Sequence, residues 1–200
     1  MFSQTSDKAV TAISPLAKYS SEYDNARYSK CNTAANAAYM SKSEKEVIYI
    51  LNLIRSFPAL FAKTVLKKYP AVSGYDYLNG DVYYFKSLPD TLLTLSPKQM
   101  LYPDNNCFIS AKSHAYQSGL TGYVGRERKT RDAKMKKHYL SGCCDYGHKD
   151  PFGIVLSLLI DEGISKLSHR LICLGDYIKV AASVQPQKKY GTTAVMDFYY

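Results

Sequence analysis

The order of apolar patterns along this 200-residue chain predicts an α+β fold, a three-layer α-β-α sandwich in which a small, mostly antiparallel sheet is flanked by helices. Three observations predict it. A capped helical stripe opens near residue 43, a sharply bounded apolar helix opens at Asp150-Pro151, and the C-terminal residues alternate apolar with polar in two runs joined by a short loop.

Residues 1–42, rich in Ser, Ala, Asn and Tyr without clear periodicity, read as an irregular or partly helical N-terminal arm. Residues 43–200 read as a single domain. Ser43 with Glu46 forms a capping-box pattern, and Val47, Ile50, Leu51 and Ile54 recur on one face behind it. Pro58 ends or kinks that helix, and residues 60–69 form a second helical piece. Between Pro70 and Pro103 the Ser73-Gly74 and Asn79-Gly80 steps and the prolines predict loops, with one short strand or helix around Val82-Tyr83-Tyr84-Phe85. Residues 104–118 predict an amphipathic helix with Phe108, Ala111 and Ala115 inward, ended by Gly119 and Gly122. In the next helix Asp150 caps, Pro151 sits at the first position where its missing N–H costs nothing, and Gly163 closes the segment. Last, Ile178, Val180, Ala182 and Val184 alternate with other residues, as do Ala194, Met196 and Phe198, giving an antiparallel strand pair joined through Pro186 and Gly191.

Composition narrows the function classes. The net charge is +9, and its densest run is residues 126–138, a segment broken by Glu127 and Asp132 and lacking aromatic interleaving. Such a run suits a solvated loop or an anionic surface contact, and without a fold signature it does not favour nucleic acid. Nineteen tyrosines and no tryptophan fit rings that cover the rim of a core or line a groove. No segment approaches the roughly 20 apolar residues of a membrane span. Residues 1–8 lack the charged-then-apolar order of a signal peptide. The five cysteines form no C-x-x-C pair, and the adjacent Cys143 and Cys144 are poorly placed to bond each other. They read as packed, or as linked to Cys107 or Cys173.

Two histidines stand in information-rich strings, Ala111-Lys112-Ser113-His114-Ala115 and Leu167-Ser168-His169-Arg170. Two imidazoles on rigid elements can hold a divalent metal such as zinc or form an acid/base pair. The bland reading gives each a backbone carbonyl to bond and space to fill. A thiol-hydrolase reading would use Cys143 or Cys144 as nucleophile, His148 or His169 as base and Asp145 as orienter, but no nucleophile motif surrounds the cysteines. His138 and His148 read as surface residues.

The motifs taken together resemble a known family. Asn52-x-x-Arg55, His114-Ala115, Tyr146-Gly147, Asp150-Pro151-x-x-Ile154-Val155-x-x-Leu158-Leu159-Ile160-Asp161 leading to His169-Arg170, and a Tyr190-Gly191 turn before Val195-x-Asp197-Phe198 resemble the bacterial branch of the CAP superfamily. These are the SCP-like extracellular domains related to cysteine-rich secretory proteins, antigen 5 and pathogenesis-related proteins. The resemblance spans about residues 43–200. It implies a secreted, periplasmic or cell-surface protein with a CAP-like sandwich and a central cavity, where two histidines and two acidic residues bind a divalent metal in many members. That cavity or a neighbouring groove takes a peptide, a glycan or a lipid.

Carried onto this chain, the family histidines match His114 and His169, with Arg170 following the second. Gly142 stands where the first family glutamate belongs, and the second acid has only Asp145, Asp161 and Glu162 as candidates. The expected cavity residues are therefore His114, His169, Arg170, Asp145, Tyr146 and Glu162, with His114 and His169 as weak metal ligands. A hydrolytic zinc site needs a general base near its water, and Gly142 removes the best one. The expectation is thus a non-enzymatic binding domain. The alternatives are a metal-dependent hydrolase built on His114 and His169, or an interaction protein with a vestigial site.

Overall fold

The computed structural model describes residues 14–69, 83–128 and 137–200. The sheet has four strands, β1 (Tyr102–Pro103), β2 (Ser141–Tyr146), β3 (Lys179–Gln187) and β4 (Gly191–Tyr199), in the spatial order β1-β3-β4-β2. β3 and β4 are the antiparallel pair that the alternation predicts, with Ala182 opposite Met196. β2 adds antiparallel to β4, Cys143 opposite Met196, while β1 contributes two parallel residues beside β3.

Side chains alternate across a strand, so the sheet has two distinct faces. On one lies, among the described residues, a single helix, α4 (Asn105–Thr121), whose Ala111 and Ala115 meet Cys144 and Val195. On the other, Cys143, Val180, Ala182, Ala194, Met196 and Phe198 join the main core with α1 (Lys42–Ser56), α2 (Pro58–Tyr69), α3 (Tyr83–Thr94), α5 (Pro151–Ile160) and α6 (Ser168–Cys173). The result is the predicted α+β sandwich of helix, sheet and helix.

Several details differ from the sequence reading. α1 opens two residues early because Ser41, not Ser43, closes the capping box with Glu44. One oxygen of that carboxylate accepts from Ser41 N at 2.7 Å and the other from Val184 N at 2.9 Å, so this register also satisfies a donor of β3 that Glu46 would not reach. Pro58 sits at the first position of α2, turning it by 101° from α1. α3 runs through Pro89, because Leu88 and Leu92, four apart, bury one helical face. Gly119 does not end α4 but continues it: a Cβ there would lie 2.2 Å from the Pro186 carbonyl oxygen, so glycine permits helix and strand to touch. Gly122 supplies the left-handed cap at φ 71°. α5 ends at Asp161, itself left-handed, before Gly163.

The N-terminal segment is irregular apart from two 3-10 turns, but it belongs to the core of the domain. Leu16, Tyr23, Tyr28, Cys31 and Ala34 are fully buried in the same cluster as α1 and α5. Residues 1–13, the turns at Ser73-Gly74 and Asn79-Gly80, Val82, and most of the basic run, 129–136, lie outside the described residues.

Two polar residues of the Asn52-x-x-Arg55 string clamp backbone. Asn52 accepts from Leu101 N and donates to the carbonyls of Cys31 and Leu101. Arg55, fully buried, donates to the carbonyls of Gln99, Cys173 and Gly175. These carbonyls lie at the ends of short helical turns or in the segments between elements, and a buried one left without a donor would cost about 1–3 kcal/mol.

Candidate functional site

α4 places His114 beside a cavity of about 390 Å³ lined by Ser110, Ser113, His114, Gln117, Ser118, Thr121, Gly122, Tyr123, Glu127 and Arg128. Positions 110, 113, 114, 117, 118 and 121 share one helical face, so a single helix supplies most of the wall. The His114 ring nitrogen Nε2 lies 2.9 Å from the Gly125 carbonyl. That oxygen only accepts, so the proton sits on Nε2 and Nδ1 is an acceptor. Burial pushes His114 below its ordinary value and the charge of Arg128 adds to this, against the pull of the Gly125 carbonyl. The imidazole is therefore neutral near pH 7.

Arg128 is the residue that sequence reasoning missed. Its guanidinium pairs with Asp197 of β4, donates to the Ser110 carbonyl and stacks 4.4 Å over the Tyr139 ring. The two charged side chains are 6% and 0% exposed. Burial raises Asp197 to about 6 in spite of Arg128. Gly142 lies beneath this pair: a Cβ built there would be 2.8 Å from Asp197 Oδ1 and 3.2 Å from Arg128 Nη2. The space a glutamate side chain would enter is thus taken by an ion pair whose cation comes from the basic run. The only signal for it in the sequence is Gly142 itself, a strand residue with no side chain.

His169 sits in the other layer, at the start of α6. Its backbone N–H donates to Asp161 Oδ2 and its ring Nδ1 lies against Asp161 Oδ1, both at 2.8 Å. Arg170 N also reaches Asp161, so this carboxylate caps the helix and orients the imidazole together. Arg170 lines no cavity. It is buried, and its guanidinium reaches the carbonyls of Leu159, Ile160 and Tyr84 and the Ser87 hydroxyl, tying α3, α5 and α6 together. Asp145, on the α6 side of β2, receives His148 Nδ1 at 2.9 Å. His148 is accordingly a half-buried partner and not a surface residue. Tyr146 points the other way, its hydroxyl accepting from Gly125 N at 2.8 Å, and Glu162 is exposed.

The proposed histidine pair is therefore divided between environments. His114 shares the α4 face with Cys144, Tyr146 and Asp197, whereas His169 and its Asp161 belong to the α6 side with Cys143 and Asp145. Among the described residues, no three His, Cys, Asp or Glu side chains gather to hold a metal ion. Two imidazoles without a converging acid do not fit a zinc site.

The thiols are no better placed for nucleophilic chemistry. All five cysteines are free and buried. Burial raises Cys144 to about 11 and carries Cys143 well above its usual value, so neither is a thiolate at neutral pH. Cys143 Sγ meets the backbone oxygen of His169, not its ring.

No family model, curated protein or solved structure matches this chain. What the arrangement offers chemically is a walled pocket carrying hydroxyl, amide, imidazole and ionic groups. Among the described residues no single helix is long and apolar enough to cross a membrane.

Proposed function

We propose that this chain is an exported, non-enzymatic CAP-like domain whose pocket beside His114 binds a glycan. The observation that carries the reading is the composition of the wall. None of its ten residues is aliphatic, which disfavours an acyl chain, whereas Ser113, Gln117, Thr121 and the acceptor Nδ1 of His114 suit a ligand covered in hydroxyls. Tyr123 adds an aromatic ring for the apolar face of a sugar. The cavity volume, about 390 Å³, falls in the range of small-molecule sites. Export is the expectation that accompanies the family resemblance.

The non-enzymatic part of the reading is supported by Arg128, which holds the one carboxylate beside Gly142, Asp197, in a buried ion pair. Saturation-transfer NMR against short oligosaccharides, peptides and lysolipid tests the proposal, with a Gln117→Ala and Ser113→Ala double variant as control. Signal from saccharides alone, lost in the variant, is the expected result. Signal confined to peptides or lysolipid, or saccharide signal indifferent to the double variant, overturns it.

A further inference from the structure

Cys143 and Cys144 are neighbours in sequence but face opposite layers. Cys144 Sγ points to α4, 3.7 Å from the Gly125 carbonyl, while Cys143 Sγ points to α6, 3.8 Å from the His169 carbonyl. In an α-helix the carbonyl of His169 is the acceptor for the N–H of Cys173, four residues on, so Cys143 Sγ lies against the turn that bears Cys173. Both residues are almost completely buried, at 0% and 1% exposure, and after burial itself Cys173 is the neighbour that most raises the Cys143 thiol. The other cysteines have different neighbours: Cys31 Sγ meets the Ser56 hydroxyl and Cys107 Sγ the His138 carbonyl.

We infer that Cys143 and Cys173 are a disulfide site, closed during folding in an oxidising compartment and tying the edge strand β2 to α6. The reaction is thiol–disulfide exchange with a small disulfide such as glutathione disulfide. Both Sγ–H bonds break and one S–S bond forms, and the two electrons and two protons reduce the oxidant to two thiols. Because the site is buried once the chain has folded, the bond forms before the core closes and is afterwards shielded from reductant. It would fix α6, and with it His169 and the Arg170 clamp, to the sheet. Cys144 is excluded as a partner by its direction, and the separate surroundings of Cys31 and Cys107 leave those two and Cys144 as thiols.

The test refolds the fully reduced full chain from denaturant in a glutathione redox buffer, then unfolds it, alkylates free thiols and maps the product by mass spectrometry. The expected product is lighter than the reduced chain by two hydrogens, carries label on Cys31, Cys107 and Cys144, and yields a linked peptide joining Cys143 to Cys173. Closing a loop of about 30 residues should raise the melting temperature by roughly 10 °C over the reduced protein, a gain absent from Cys173→Ala. Label on all five cysteines, or a linked peptide with any other pairing, overturns the inference, and this readout on the wild type does not depend on a variant folding.

Discussion

Replacing Arg128 by Ala strands a carboxylate in the interior, and the damage should depend on pH in a way that a surface ion pair could not produce. Asp197 is 0% exposed, with one oxygen on Arg128 and Oδ2 without a partner among the described residues. Removing one member of a buried pair costs about 3–5 kcal/mol when the survivor stays charged. The survivor can escape by taking up a proton. Its folded value is already about 6, against an ordinary 3.8, and loss of the guanidinium carries it higher. A carboxyl raised on folding favours the folded state at acid pH, and that advantage is lost as pH climbs through the folded value. The variant should therefore lose about 3–5 kcal/mol at about pH 7.5, but only about 1–3 kcal/mol at about pH 5, where a lost hydrogen bond and the stacking on Tyr139 remain as the deficit. Urea unfolding of both proteins at the two pH values measures this. A difference below about 1 kcal/mol that is the same at both would refute the claim that the pair is buried and coupled.

Other perturbations have equally definite outcomes. Gly142→Glu should not create a metal site, because its Cβ meets Asp197 Oδ1 at 2.8 Å; it should lose about 2 kcal/mol and show no heat with zinc at tens of micromolar by calorimetry, and stoichiometric zinc binding would sink the argument. Gly119→Ala pushes a methyl to 2.2 Å from the Pro186 oxygen, which should outweigh the helix propensity gained, about 1 kcal/mol, and lower the melting temperature; an unchanged or raised value would be contrary. His148 is raised by its bond to Asp145, so it contributes stability below its unfolded value of about 6.5 that is lost as pH rises through the folded one. His148→Gln should flatten that slope in urea titrations, whereas an undiminished slope would assign it to another group.

Local signals were legible wherever chemistry is local. Pro58 and Pro151 start helices, Asp150 caps, and the alternation from 178 to 198 gives the central strands with their facing right. β2 was not legible, since Ser141-Gly142-Cys143-Cys144-Asp145-Tyr146 is inserted between two packed layers and has no polar face to alternate with. The choice of Ser41 over Ser43 was decided by Val184, which is 140 residues from Glu44. At the site, the space beside Gly142 is taken by an arginine that comes from a run that reads as solvated charge. His114 lies on the helix predicted for it, whereas the short helix that carries His169 was not read from the sequence, and spacing carries no information on which face of the sheet each helix covers.

The clamps formed by Asn52, Arg55 and Arg170 bear on how this chain would respond to mutational scanning. These residues sit in the strings that most resemble an active-site signature, and they are buried against carbonyls at helix ends and in the segments between elements. Alanine at any of them would lower whatever activity is assayed, by releasing several backbone segments at once. Ranked by loss of function, they would head the list while touching no ligand, and only a parallel measurement of foldedness would separate scaffold from site.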